Sequence, residues 1–100
     1  MSYNGWTNYE TWCANLWVYQ DSGYWHEHAQ DIAVQKDHDK DEATYEMARV
    51  MESYYDEMSP DTDGMYADLL SASMSRINWY EIAGHYVDEV LEDTSDEIEE

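Results

Sequence analysis

The sequence predicts an all-α protein, a compact bundle of four to five short helices that ends in an acidic tail. Three observations support this fold class. Apolar residues recur at the i, i+3, i+4 and i+7 spacing of a helix through most of the 100 residues. There is one proline, and no alternating apolar and polar run favours a strand. The chain is 43% hydrophobic and 15% aromatic, which suffices for one core and argues against disorder throughout.

The first predicted helix covers about residues 8–20, and its large apolar side chains share one face. That stripe consists of Tyr9, Trp12, Cys13, Leu16 and Trp17. We expect Thr7 to cap the helix and Glu10 to complete a capping box, while Trp6 packs against the first turn. Because aromatic side chains bury so much surface, we predict that this helix is the centre of the core.

Three further helices follow, separated by turn-forming residues. They are predicted to begin near residue 22 or 24, near residue 41 and, with Asp61 or Thr62 as cap, shortly after Pro60. The apolar stripes that we expect them to turn inward are, in order, Trp25, Ala29, Ile32 and Ala33; Met47, Ala48, Met51, Tyr54, Tyr55 and Met58; and Tyr66, Leu69, Leu70, Met74 and Ile77.

The fifth predicted helix begins at a second capping box, with Asn78 as the cap and Glu81 three residues later. Its inward side chains are Trp79, Ile82, Ala83, Tyr86, Val87, Val90 and Leu91. We expect the first and last helices to supply most of the core. No linker divides the chain, so residues 1–93 are predicted to form one helical domain and residues 94–100 an acidic tail.

The charge of the chain limits its partners. Twenty-four acidic residues face four basic ones, for a net charge of −20, whereas solubility needs a net charge of only about 2–8. This charge excludes direct binding to nucleic acid or to an anionic membrane, so partners should be basic. There is no signal peptide pattern and no apolar run of about 20 residues. The single cysteine has no partner for an intrachain disulfide. We therefore expect a cytoplasmic protein in a host cell.

No motif of known catalytic chemistry is present. Asp37, Asp39 and Asp41 match the first positions of a calcium loop, but Glu42 and Ala48 replace its required glycine and glutamate. Cys13 and His85 would make a nucleophile and base, but a cysteine on an apolar helix face is typically inert packing. We therefore predict a protein that is not an enzyme and has no metal site and no cofactor.

The acidic residues instead follow helical rows. Asp88, Glu92, Asp96 and Glu100 form one i, i+4 row, and Glu89, Asp93 and Glu97 form a second beside it. Tyrosine and tryptophan are enriched at protein interfaces, and the chain has ten Tyr and five Trp. The partner-binding surface that we predict comprises Glu42, Glu46, Glu52, Asp56, Glu57, Tyr54, Tyr55, Asp88, Glu89, Glu92 and Asp93.

Two blocks carry a resemblance to known sequences. Residues 5–12, Gly-Trp-Thr-Asn-Tyr-Glu-Thr-Trp, followed by Asn-Leu-Trp at 15–17, resemble a motif of short acidic proteins of bacteriophages and other mobile elements. Residues 77–83, Ile-Asn-Trp-Tyr-Glu-Ile-Ala, resemble their second shared block. The resemblance implies a mobile-element origin rather than a particular activity. By analogy, small acidic phage proteins resemble inhibitors of host defence, such as anti-CRISPR or anti-restriction proteins.

These observations favour an anti-defence inhibitor that mimics nucleic acid and occupies a basic site on a host nucleic-acid-binding protein or ribonucleoprotein complex. Two alternatives stay open. One is an acidic regulatory or scaffolding module whose charge serves solubility alone. The other, less favoured, is a metal-dependent hydrolase that uses Asp37, Asp39 or Asp41. The sequence does not distinguish a monomer from a dimer.

Overall fold

The computed structural model describes the backbone of residues 3–99 and the side chains of residues 3–92. Its five helices are α1 (Tyr9–Gln20), α2 (Ser22–Gln35), α3 (Lys40–Glu57), α4 (Gly64–Ser75) and α5 (Trp79–Glu99). The described residues form no β-strand, only an isolated bridge between Tyr3 and Trp6. The all-α prediction is therefore confirmed. The side chain of Asp93 and the side chains of the predicted tail, residues 94–100, lie outside the description.

The core is a three-helix unit of α2, α3 and α5. The Tyr55 ring stacks on Trp79 at one end, with 5.6 Å between centroids, and Lys40 contacts Asp88 near the other end. Helix α3 thus runs antiparallel to α5. The buried residues are those expected for α2, the middle of the stripe expected for α3, and nearly all of the stripe expected for α5. They are Trp25, Ala29, Ile32, Ala33, Ala43, Met47, Ala48, Met51, Trp79, Ile82, Ala83, Tyr86, Val87 and Val90, joined by Val18 of α1.

The prediction that α1 is the centre of the core is wrong. Trp17 is 69% exposed and Tyr9 52% exposed, and Leu16 is exposed as well. The buried residues of α1 are instead Thr11 and Val18. The helix lies against the side of the three-helix unit. Its polar groups, rather than its aromatic stripe, contact the start of α5.

Those polar groups form what we call the polar junction: Thr7, Asn8 and Thr11 on one side, and Arg76, Asn78 and Glu81 on the other. The Asn78 amide donates to the Thr11 hydroxyl at 2.9 Å, and the Thr7 amide donates to Glu81 Oε1 at 3.0 Å. The Asn8 side chain donates to the Arg76 carbonyl at 2.8 Å. Each bond joins segments more than 65 residues apart in sequence, so the junction fixes how α1 docks.

The junction also revises the predicted caps. The cap of α1 is Asn8, whose side chain accepts from the Thr11 amide, and not Thr7. Asn78 accepts from the Glu81 amide at 3.0 Å, as predicted for α5, but the Glu81 carboxylate bonds Thr7 instead of closing its own capping box. Trp6 packs on the His85 ring, with centroids 4.7 Å apart, rather than on the first turn of α1.

Helix α4 lies outside the core. None of its residues is buried; Tyr66 is 69% exposed and Leu69 57% exposed, so their predicted inward orientation is wrong. Only the end of this segment, Met74 and Ile77, packs against the core. The predicted inward orientation is also wrong at the end of α3, where Met58 is exposed.

Candidate acidic interface

The predicted acids of α3 and α5 lie on the solvent-facing sides of the two helices. Glu42, Glu52, Asp56 and Glu57 of α3 and Asp88, Glu89 and Glu92 of α5 are exposed, and Glu46 is partly exposed. We call these eight side chains the acidic face. Because α3 and α5 pack along each other within the core, the backbone holds both sets in fixed positions. Glu46 and Glu57 also line, with Tyr54, one shallow depression on α3.

Few cations neutralise these acids. Lys40 Nζ lies 2.9 Å from Asp88, and Arg49 lies 3.2 Å from Glu46. The hydrogen bond to Asp88 raises the pKa of Lys40. Both pairs are solvent-accessible, and exposed pairs of this kind contribute little to stability. The remaining acids of the face have no ion pair within residues 3–92, so their charge is available to a partner.

The two predicted tyrosine anchors lie in an aromatic cluster and are half-buried. Tyr55 accepts a hydrogen bond from Trp25 Nε1 at 3.1 Å and stacks on Trp79, and burial raises its pKa. Tyr54 packs edge-on against Trp25, with 5.2 Å between centroids. The cluster thus fixes both rings, and they offer a partner their outer edges rather than freely mobile side chains.

Glu89 borders a cleft that the sequence did not reveal. The cleft has a volume of about 520 Å³, and its walls include Trp6, Tyr19, His26, His85 and Tyr86. Burial, reinforced by Glu89, raises the pKa of Tyr86 to about 12. These residues come from the N-terminal arm, α1, α2 and α5, so no local motif marks the site. Aromatic walls beside a carboxylate suit a cationic side chain.

No catalytic or metal centre emerges from the side chains described. Residues 3–92 contain no group of three or more His, Cys, Asp or Glu placed to hold a metal ion. Cys13 and His85 line two different grooves, so the structure does not bring them together as nucleophile and base. Among the described residues, no helix has both the length and the apolar character needed to span a bilayer.

Comparison with known proteins identifies a family but no activity. A search of curated proteins finds no match to this chain, and neither does a search of solved structures. A family model does match, over residues 1–100. The chain therefore belongs to DUF7249, a family of unknown function.

Proposed function

We propose that the protein is a phage-type inhibitor of host defence. Its acidic face binds a basic nucleic-acid site on a host defence complex and occupies that site. The observation that carries this proposal is the geometry of the face. Two antiparallel helices that pack against each other carry seven exposed carboxylates and one partly exposed carboxylate, in a chain whose net charge is −20. A site built for phosphates attracts such a surface from a distance and at high rate.

The spacing of the acids supports mimicry. Glu42 and Glu46, Glu52 and Asp56, and Asp88 and Glu92 are i, i+4 pairs on helices. Such neighbours lie about 5–6 Å apart at Cβ, broadly similar to the separation of successive phosphates along a nucleic-acid strand. Like charges at this spacing cost a few tenths of a kcal/mol per pair. Their repetition favours a role beyond solubility.

The cleft beside Glu89 adds an anchoring point. A lysine or arginine of the partner that enters it would lie beside Glu89 and the aromatic residues Trp6, Tyr19 and Tyr86, which line it. A cation over an aromatic ring contributes about 0.5–2 kcal/mol, with the larger value for desolvated sites. Such a pocket would let the acidic face select a cationic side chain of the partner at one position. Charge that served solubility alone would not require a pocket.

The host-defence target is supported by the resemblance of residues 5–12 and 77–83 to acidic phage proteins. The competing function is a regulatory or scaffolding module that binds a partner without imitating nucleic acid. In that case the partner would not compete with DNA or RNA, and the placement of the acids would not matter.

The test is capture of partners from host lysate on the immobilised protein, at about 0.1 M and about 0.5 M salt. We expect a nucleic-acid-binding protein or complex that is retained only at low salt and is released by duplex DNA or RNA. Capture that resists both salt and nucleic acid would overturn the proposal in favour of the regulatory module.

Matched charge variants sharpen this test. The interface variant is Glu52→Gln, Asp56→Asn, Glu89→Gln and Glu92→Gln. The control removes four exposed acids elsewhere, Asp21→Asn, Glu27→Gln, Asp31→Asn and Asp68→Asn. Both variants change the net charge equally. We expect the interface variant to bind the captured partner at least about tenfold more weakly, and the control within about threefold of the unmodified protein. Equal losses would contradict a specific acidic face.

A further inference from the structure

An uncovered apolar groove lies between α1 and the C-terminal end of α4. It has a volume of about 350 Å³, and its walls include Cys13, Ala14, Trp17, Met74, Ile77 and Trp79. Among the residues described, Glu10 is the one acidic residue in its walls, and it forms an ion pair with Arg76 at 3.3 Å. None of the eight acids of the acidic face lines it.

Exposed apolar side chains of both helices line the groove or lie on the same helical rows as residues that line it. Tyr66 and Leu69 continue the helical row of α4 that ends at Met74 and Ile77, and they are 69% and 57% exposed. Trp17 of α1 is 69% exposed. We call the groove and these side chains, with Tyr9 and Leu16, the apolar face. Monomeric soluble proteins rarely expose a contiguous apolar patch of more than a few hundred Å².

Charge is distributed unevenly between this face and the rest of the molecule. Helices α1 and α4 contain one acidic residue each, Glu10 and Asp68, whereas α3 alone contains six. A basic partner finds almost no complementary charge on α1 and α4. A second copy of the chain, in contrast, can bring two such faces together without placing the acids of α3 and α5 in the contact.

We propose that the apolar face is the interface of a symmetric homodimer. The exposed portions of its five large side chains amount to about 600 Å², taking roughly 150–250 Å² for a fully exposed aromatic residue. Two copies would therefore bury about 1,200 Å² in total, the lower end of the range for specific interfaces. A two-fold contact sets the same patch of each copy against the other.

This dimer goes beyond the proposed function. The salt dependence of dimerisation distinguishes it from binding of a basic partner. Contact between apolar faces is not weakened by salt, and screening of the two net charges strengthens it. Binding of a basic partner to the acidic face weakens under the same conditions.

The test is the molar mass of the protein, measured by sedimentation equilibrium from low to high micromolar concentration. We expect the unmodified chain to approach twice the monomer mass, and Trp17→Glu and Leu69→Glu to remain monomeric. The matched controls are Val34→Glu and Tyr45→Glu, which place the same charge on exposed apolar residues of α2 and α3 and should still dimerise. Far-UV circular dichroism checks that all four variants stay helical.

The thiol of Cys13 gives a second readout, because it lines the groove. Its reaction with a disulfide reagent should slow as the unmodified protein is concentrated, and should be independent of concentration in Trp17→Glu. A monomer mass at every concentration would overturn the proposal, and so would dimers in which Trp17→Glu and Leu69→Glu associate as well as the controls. A monomer that binds an apolar dye in the groove would assign the face to a small ligand instead.

Discussion

The three-helix unit and the α1–α4 pair differ in how their apolar residues are arranged and in how deeply they are buried. Apolar residues concentrate on one side of α2, α3 and α5 and are spread more evenly around α1 and α4. Met47 and Met51 of α3 are fully buried, whereas Tyr66 and Leu69 of α4, at comparable helical spacing, are mostly exposed. Small residues contribute to the packing of the three core helices. Alanines and a glycine separate the large side chains of α2, α3 and α5, so these helices approach closely; an added Cβ at Gly84 would lie 3.7 Å from Thr44 Cγ2.

The comparison teaches that an apolar stripe alone does not identify a core helix. The helices that join the core are those whose apolar residues concentrate on one side, and small residues on that side allow interdigitated packing. The stripe of α1 consists mainly of large aromatic and aliphatic side chains, and its polar residues are the ones that find specific partners, in the polar junction. The exposed aromatic surface is then available for contacts outside the chain.

The largest expected effect contrasts the two regions directly. Met47→Ala removes a fully buried side chain and should lower the free energy of unfolding by about 2–5 kcal/mol. Leu69→Ala removes one that is mostly exposed and should change it by less than about 0.5 kcal/mol. Urea denaturation in dilute protein measures both. A loss from Leu69→Ala as large as that from Met47→Ala would show that α4 belongs to the core.

The next effect concerns the two buried threonines. The Thr11 hydroxyl donates to Asn8 and accepts from the Asn78 amide, so Thr11→Val leaves polar groups of the junction unpaired. We expect a loss of about 1–3 kcal/mol in the free energy of unfolding.

Thr44→Val is the matched control, because the buried Thr44 hydroxyl has no hydrogen-bond partner among the described residues. This substitution should be neutral or stabilise the fold by up to about 1 kcal/mol. Thermal denaturation of both variants measures the difference. If the two substitutions cost the same, the junction does not orient α1.

The smallest effect is on alkaline stability. Burial raises the pKa of Tyr86 to about 12, above its ordinary value of about 10. The folded state therefore favours the neutral phenol. This contribution is present below about pH 10 and is lost as the pH rises toward 12. Because the hydroxyl borders an open cleft, we expect on the order of 1 kcal/mol.

Tyr86→Phe removes this titration. Its free energy of unfolding should fall less than that of the unmodified protein between about pH 9 and about pH 11, measured by denaturant titration at each pH. Tyr45→Phe is the control, because it removes the hydroxyl of an exposed tyrosine. An identical decline in all three proteins would contradict the assignment.

Much of the fold could be predicted from the sequence, because local signals decided it. The spacing of Trp25, Ala29, Ile32 and Ala33 predicted the buried face of α2, and Asn78 marked the start of α5. The exposure of the acids on α3 and α5 also followed from helical spacing. The docking of α1 did not, because it depends on hydrogen bonds to residues more than 65 positions away.

The cleft beside Glu89 was missed for the same reason. Its walls come from four separate segments, and each residue has an ordinary local role. His85 was considered in the sequence only as a possible base for Cys13, yet it lines this cleft together with His26. A signal could have come from Trp6, which is too large and apolar to remain in a solvated arm without a ring to pack against.

The polar junction has a consequence for how the chain is made. Helix α1 is synthesised before the groups that hold its inner face, because the Asn78 amide and the Glu81 carboxylate follow it by more than 65 residues. Because contacts between distant segments form late and slowly, α1 stays undocked while the helices between it and α5 are synthesised. During that interval Thr11 and Val18, which are buried in the folded protein, stay accessible to chaperones and proteases.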